Sequence, residues 1–434
     1  MNRKTIATVG AAAAASLALT ACGGGDASSG SEEPDGPVTI SLAGWDFAST
    51  PEFETLATAY EEQNEDVTVE LTEYPAGEEY DTALTADLAA GTAPDVFIVK
   101  NLKNYVTFQE GGTLLDISDV AAELDPATGG LEAMAVDGAT YAVPYRQDSW
   151  LLYYNKALFD QAGVDHPDGS WTWDDYADAA AELTDGIGED DVTGAYLHSW
   201  QSTVQGFALA QTEGATLDSG DFGFLAPYYE RQLAMQDEGS QPTYATVTTN
   251  ELAYQSQFGT QKSAMVTMGS WYIGTLVAEQ ASGDADEFEW GLAPAPQFDE
   301  STTGTDNTPV TFGDPTTMGI NAGIDDAKVA TAKDFLKFAA GPEGAAALAE
   351  IGITPALIDD TVADTVFALD GVPQDDLSRF AYTTHETLPE NPVGADTAAI
   401  QTILGDLHSA VMSESDPVDD AIADAQERAA NEVG

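Results

Sequence analysis

The chain has 434 residues, with 13 Lys+Arg against 75 Asp+Glu and a formal net charge of −62 at pH 7. That balance excludes an electrostatic grip on nucleic acid or on anionic lipid, which needs clustered basic residues. Hydrophobic residues make up 43%, enough to bury large cores, and the one Cys excludes an intramolecular disulfide or a Cys-cluster metal site.

The chain opens with Asn2-Arg3-Lys4, continues through an uncharged Ala-rich run over 6–19, and reaches Leu19-Thr20-Ala21-Cys22. A basic start, an apolar core and small residues form the order of an export signal. The run is shorter than the roughly 20 apolar residues of a membrane span. Cys22 is the only cysteine in the protein. The Leu19–Cys22 string resembles the lipobox of bacterial lipoproteins, which implies cleavage after residue 21 and a diacylglyceryl thioether on Cys22. Residues 22–36 are rich in Gly and Ser and read as a flexible tether. The expected location is the extracellular face of the cell membrane, with Cys22 as the anchor. The acidity suits a high-salt medium, where self-repulsion is screened; attraction of cationic ligands is the alternative.

Past the tether, Val38-Thr39-Ile40-Ser41-Leu42-Ala43 predicts a buried strand, 52–64 a helix, 67–71 a strand, 80–90 a helix closed by Gly91, and 95–99 a strand. This alternation predicts a doubly wound α/β sheet, whose ligands sit beyond the carboxyl ends of the strands. Asp137-Gly138 between β-formers predicts a hairpin. Residues 150–154 read as a strand and 156–163 as a short helix. Trp171-Thr172-Trp173-Asp174-Asp175 opens an amphipathic helix with Thr172 as its N-cap.

Several ordered blocks carry a more specific pattern. They are Asp137-Gly138 through Tyr141-Ala142-Val143-Pro144-Tyr145 to Tyr153-Tyr154-Asn155-Lys156; Trp171 to Asp175; Ala264-Met265-Val266 with Gly269-Ser270-Trp271; and Ala332 to Phe338 with Gly341-Pro342-Glu343-Gly344 and Gly352-Ile353-Thr354-Pro355. Together they resemble the extracellular solute-binding proteins of ABC transporters, in the sugar-binding family related to maltose-binding protein. The resemblance implies a periplasmic-binding-protein-like type II fold, with two doubly wound α/β lobes joined by a multi-segment hinge. It places crossings near 144–148, 294–298 and 352–355. The lobes would then be 37–146 plus 299–350 and 147–298 plus 351–434.

A sugar pocket needs aromatic platforms and fixed donors and acceptors. Position selects the candidates. Trp45 and Asp46 follow the first strand, and Lys100, Asn101 and Lys103 the third. Trp45 is a stacking platform or a core residue. Tyr145, Arg146 and Asp148 sit at the expected first crossing. Asp148 lies seven residues before Asn155, where the family carries an acidic contact; Arg146 donates to the ligand or neutralises Asp148. Trp200 and His198 end a probable strand. The family pattern puts an aromatic platform at Trp271, and a Gly-rich cleft segment at Gly313, where Asp314 replaces a second Gly and is a polar contact or a turn residue. Arg379 and His385 are weaker candidates near the C-terminus.

No reaction chemistry is legible. There is no Gly-x-Ser-x-Gly elbow, P-loop or His-Glu-x-x-His, and the Asp218 to Gly223 echo of a calcium loop lacks its closing ligands. The expectation is a monomeric, cofactor-free and metal-free receptor, not an enzyme. It would bind a mono- or oligosaccharide and deliver it to ABC permease subunits with a separate ATPase. Alternatives are the same fold binding a glycerol phosphate, polyamine or peptide, or a secreted glycoside hydrolase.

Overall fold

The computed structural model describes residues 36–47, 50–100 and 102–433. The expected export signal, the expected tether up to residue 35 and Cys22 therefore lie outside the described residues, as does Asn101.

The strands in chain order are β1 (Val38–Trp45), β2 (Val67–Tyr74), β3 (Val96–Val99), β4 (Ala135–Val136), β5 (Ala139–Thr140), β6 (Ala142–Gln147), β7 (Trp150–Asn155), β8 (Thr193–Tyr196), β9 (Ser263–Gly269), β10 (Trp290–Pro294), β11 (Val310–Phe312), β12 (Pro315–Ile320) and β13 (Glu386–Leu388). They form a five-stranded sheet of order β2-β1-β3-β12-β6 and a four-stranded sheet of order β10-β7-β9-β8. Two small pairs, β4-β5 and β11-β13, complete them. Each large sheet carries its own hydrophobic core. The smaller core holds Ile40, Leu42, Phe97 and Ile98, and the larger holds Leu152, Tyr153, Met265 and Val266. The protein is thus a two-lobed α/β structure.

In the first sheet β1 runs parallel to both β2 and β3, while β12 is antiparallel to β3 and β6. β1 lies between β2 and β3, so the connection after β1 runs to one side of the sheet and the chain after β3 returns on the other. This opens a crevice at the carboxyl ends of β1 and β3. The second sheet is mixed: β7 is antiparallel to β9 and β10, and β8 is parallel to β9.

Local signals set the helix ends. Thr172 and Asp175 form a capping box at the start of the helix Trp173–Ile187. Asn155 caps the helix Lys156–Ala162, which Gly163 closes in the left-handed conformation. The Asp137-Gly138 turn joins β4 to β5, with both residues at positive φ.

The chain leaves the first sheet at the end of β6 and enters the second at β7, so 147–149 is a crossing. The return differs from the sequence expectation that the first lobe resumes at 299. Gly304 N–H bonds to the Gly169 carbonyl, Val310 N–H to Gln297 Oε1, and Phe312 is buried in the larger core. Residues 299–312 therefore pack with the second sheet, and the return falls at Gly313–Asp314. The helix Pro342–Glu350 serves both lobes: Leu348 belongs to the smaller core, and Ala345 and Ala349 to the larger. Beyond it, Arg146 forms an isolated bridge with Pro355, close to the expected third crossing.

Candidate functional site

An ion network sits at the first crossing. Arg146 is the penultimate residue of β6, and its Nη1 donates to Glu52 Oε2 at 2.6 Å while its Nε donates to Asp148 Oδ2 at 2.7 Å. Ser270 Oγ, at the start of the helix Trp271–Ser282, donates to Asp148 Oδ1 at 3.0 Å. Tyr145 OH donates to Glu52 Oε1 at 2.7 Å. Burial works against the Arg146 charge, but the carboxylates of Asp148 and Glu52 outweigh it and push the guanidinium pKa up. Arg146 therefore stays a cation facing two carboxylates.

This resolves several sequence candidates. Arg146 neutralises Asp148, one of the two roles open to it. Tyr145 is 1% exposed and aims its hydroxyl at Glu52, so it supports the network from the smaller core. Gly313 closes the crossing from the other side. A Cβ there would stand 2.0 Å from the Asp148 carbonyl oxygen, so only glycine allows the two segments to meet.

Beside the network stands an aromatic wall. Trp150, at the start of β7, stacks on Phe312 with centroids 4.9 Å apart and meets Trp271 edge-on at 5.6 Å. Trp271 Nε1 donates to Tyr254 OH at 3.2 Å. Trp200 packs against His198 at 4.3 Å, Tyr254 at 6.0 Å and Trp271 at 6.4 Å. Trp200 is 43% exposed, so it offers open ring surface, whereas Trp150 is buried. Gly269 provides the clearance under Trp271, since a Cβ there would fall 1.8 Å from the indole. Burial lowers the His198 pKa to about 4, so the ring beside Trp200 is neutral at pH 7.

On the first lobe, Trp45 and Lys100 come together at the crevice. Lys100 Nζ lies 4.3 Å from the Trp45 ring centroid and 4.5 Å from that of Tyr80, and donates to the Gly77 carbonyl at 2.8 Å. Trp45 also meets Phe53 edge-on at 5.0 Å, next to Glu52 in sequence. Asp46 follows with a positive φ of 44°. Contacts thus run from Trp45 through the start of the helix Glu52–Gln63 to Arg146, Asp148, Ser270 and Trp271.

Other candidates go elsewhere. Asp314 turns into a loop and accepts from the backbone of Glu390 and Asn391, the Asn391 side chain and Leu102 N–H, so it is a loop anchor. Burial raises its pKa against these hydrogen bonds. Arg379 pairs with Asp364 at 2.6 Å and lies over the Phe367 ring. His385 Nδ1 lies 3.0 Å from the Ala381 carbonyl. The side chain of Lys103 lies outside the described residues.

Sequence reasoning missed Glu52, Trp150, Tyr254 and Ser270. Glu52 had a signal: it lies in phase with Leu56 and Tyr60 on the buried face of its helix, where a carboxylate needs a partner. Among the described residues, no group of three or more His, Cys, Asp or Glu is placed to hold a metal ion. No helix among them is long and apolar enough to cross a membrane.

Residues 44–346 match the profile of the bacterial extracellular solute-binding proteins. The chain belongs to that family. A sugar transporter from Rhizobium etli, solved in an open conformation, is 32% identical to this solute-binding protein; the alignment covers 90% of this chain and 98% of that one, with a TM-score of 0.79. The sn-glycerol-3-phosphate-binding periplasmic protein UgpB of Escherichia coli (strain K12) is 25% identical over 319 residues, 68% of each protein. A binding protein of Brucella abortus (strain 2308) is 28% identical over 149 residues, which is 31% of this chain and only 33% of that relative's length. The family match starts at Gly44, one residue before Trp45, and takes in the aromatic wall and the ion network.

Proposed function

We propose that this solute-binding protein is the sugar receptor of an ABC importer. It would hold a mono- or oligosaccharide between its lobes without altering it and present it to membrane permease subunits. The observation that carries this reading is the aromatic wall of Trp200, Trp271 and Tyr254 beside the fixed carboxylate of Asp148. Sugar rings have apolar faces that stack on indoles and hydroxyls that donate to a carboxylate. Trp45 and Lys100 would complete the site from the other lobe, and closure about 147–149 and 313–314 would bring the two halves onto one ligand. The similarity to the Rhizobium etli sugar transporter supports the ligand class.

The relationship to UgpB raises glycerol phosphate as a second reading. A phosphate needs uncommitted cationic donors. Arg146 already serves two carboxylates, which favours a neutral ligand. We further propose that Cys22 carries lipid and tethers the protein outside the cell as a monomer. Calorimetry against a carbohydrate panel, with sn-glycerol 3-phosphate as competitor, tests the main reading. Sugar binding that Trp271→Ala reduces about 10- to 100-fold is expected, in line with a loss of about 1.5–3 kcal/mol for a buried aromatic contact. Binding of glycerol phosphate alone, or turnover of an oligosaccharide, overturns it.

A further inference from the structure

Trp200 lies between β8 and the helix Ser202–Gln211, on a loop, yet offers its ring to solvent beside Trp271. A platform on a loop binds well only if it is already held in its bound orientation, because ordering it later costs affinity. The structure shows what holds it. The next residue, Gln201, donates its side-chain amide to Gln401 Oε1, on the helix Thr397–Met412. Thr203 Oγ1 donates to the Trp200 carbonyl at 2.6 Å. Gln205 Nε2 donates to the Leu404 carbonyl at 2.8 Å and to Tyr229 OH at 2.7 Å, and Tyr229 OH lies 3.1 Å from His408 Nδ1. A Cβ at Gly405 would meet Gln201 Oε1 at 2.8 Å, so that glycine makes room for the amide.

These are polar groups inside a core. Gln205, Tyr229 and His408 are buried, and Gln401 is half-buried. Apolar residues would pack the same interface without needing matched partners. What a directional network adds is a fixed position for the loop that carries Trp200. We propose that Gln401 is a positioning residue for the ligand site. Through Gln201 it holds the Trp200 platform in place from the helix Thr397–Met412 without touching the ligand. This rests on the sugar-binding reading only for its effect on affinity.

The test joins a ligand-free measurement with a double-mutant cycle. With 5-fluorotryptophan incorporated, the Trp200 fluorine resonance is identified by its loss in Trp200→Phe. Gln401→Ala is expected to shift or broaden that resonance while leaving those of Trp45, Trp173 and Trp290 in place. Affinity is then measured for the tightest binder among maltotriose, cellobiose, xylobiose and raffinose. Gln401→Ala should weaken it about three- to tenfold, the scale of freeing one side chain, and should add nothing in the Trp200→Phe background. An unmoved Trp200 resonance overturns the inference whatever the ligand, and so do losses that add in the double variant. If Trp200→Phe binds sugar as well as the native protein, the site reading fails instead, and the resonance still decides the positioning.

Discussion

Ser270 Oγ lies 3.0 Å from Asp148 Oδ1, while the other oxygen of the same carboxylate is held by Arg146 Nε at 2.7 Å. Arg146 belongs to the first sheet and Ser270 follows the last strand residue of β9 in the second, so one carboxylate at the crossing is fixed from both lobes. Two fixed donors hold Asp148 in one orientation, and its remaining lone pairs are then presented in a defined direction.

Asp148→Asn keeps the shape and removes the charge. A hydrogen bond to a charged group contributes about 1.5–3 kcal/mol, so sugar affinity should fall about 10- to 100-fold. Calorimetry at neutral pH reads this directly. Unchanged affinity would remove Asp148 from the list of ligand contacts and leave it as a hinge tie.

Glu52 is the fully buried member of the same network, and its partner Arg146 is 14% exposed at the side chain. Leaving one charge of a buried pair wholly uncompensated costs about 3–5 kcal/mol, and because Arg146 keeps Asp148, the loss of Glu52 alone should cost a fraction of that. Glu52→Gln should therefore lower the urea midpoint. Glu52→Gln with Arg146→Met should cost less than the sum of the two single variants, because Arg146→Met alone strands Glu52 as well as Asp148, whereas the double variant strands only Asp148. Simple additivity of the two single variants would show that the pair is not coupled.

The legible parts of this protein are those whose cause is local. The Thr172 N-cap, the Asp137-Gly138 turn and the Gly91 helix stop are each fixed within a few residues, and all are present. The switch-point crevice follows from strand alternation and brings Trp45 to Lys100. Pairings across long stretches of chain were not legible. Glu52 and Arg146 are 94 residues apart, and the contact between Gln201 and Gln401 spans 200. The assignment of 299–312 failed for the same reason: no local feature says that Phe312 stacks on Trp150. Asp314 reads in the sequence as a polar contact or a turn residue, and no local feature shows that its carboxylate accepts from Asn391, 77 residues on.

The acid excess has a measurable consequence for the whole fold. The ion pairs that do form are mostly exposed, as with Lys333–Asp119 and Arg428–Asp406, and exposed pairs contribute about 0–1 kcal/mol each. With 75 acidic residues against 13 basic ones, basic side chains can neutralise only a minority of the carboxylates. Self-repulsion is strongest at low ionic strength, and about 1 M salt shortens its range to about 3 Å. The melting temperature should rise between about 0.1 M and about 2 M NaCl. A fall would mean that the few ion pairs outweigh the repulsion.

His408 supplies a pH dependence of known sign. It is 2% exposed, and burial lowers its pKa to about 4. In the unfolded chain a histidine titrates near about 6.5, so between those values the unfolded state binds a proton that the folded state does not. Stability from this group is therefore complete above about pH 6.5 and is lost as pH falls towards about 4, a change on the order of 3 kcal/mol. The carboxylates titrate in the same region, so the contribution is isolated by difference. Urea midpoints of the native protein and of His408→Gln are compared at pH 7 and about pH 4.5. The native protein should lose more stability than the variant over that interval, because only its His408 must stay neutral against protonation. Equal losses would mean that His408 is already solvated enough in the folded state to accept the proton.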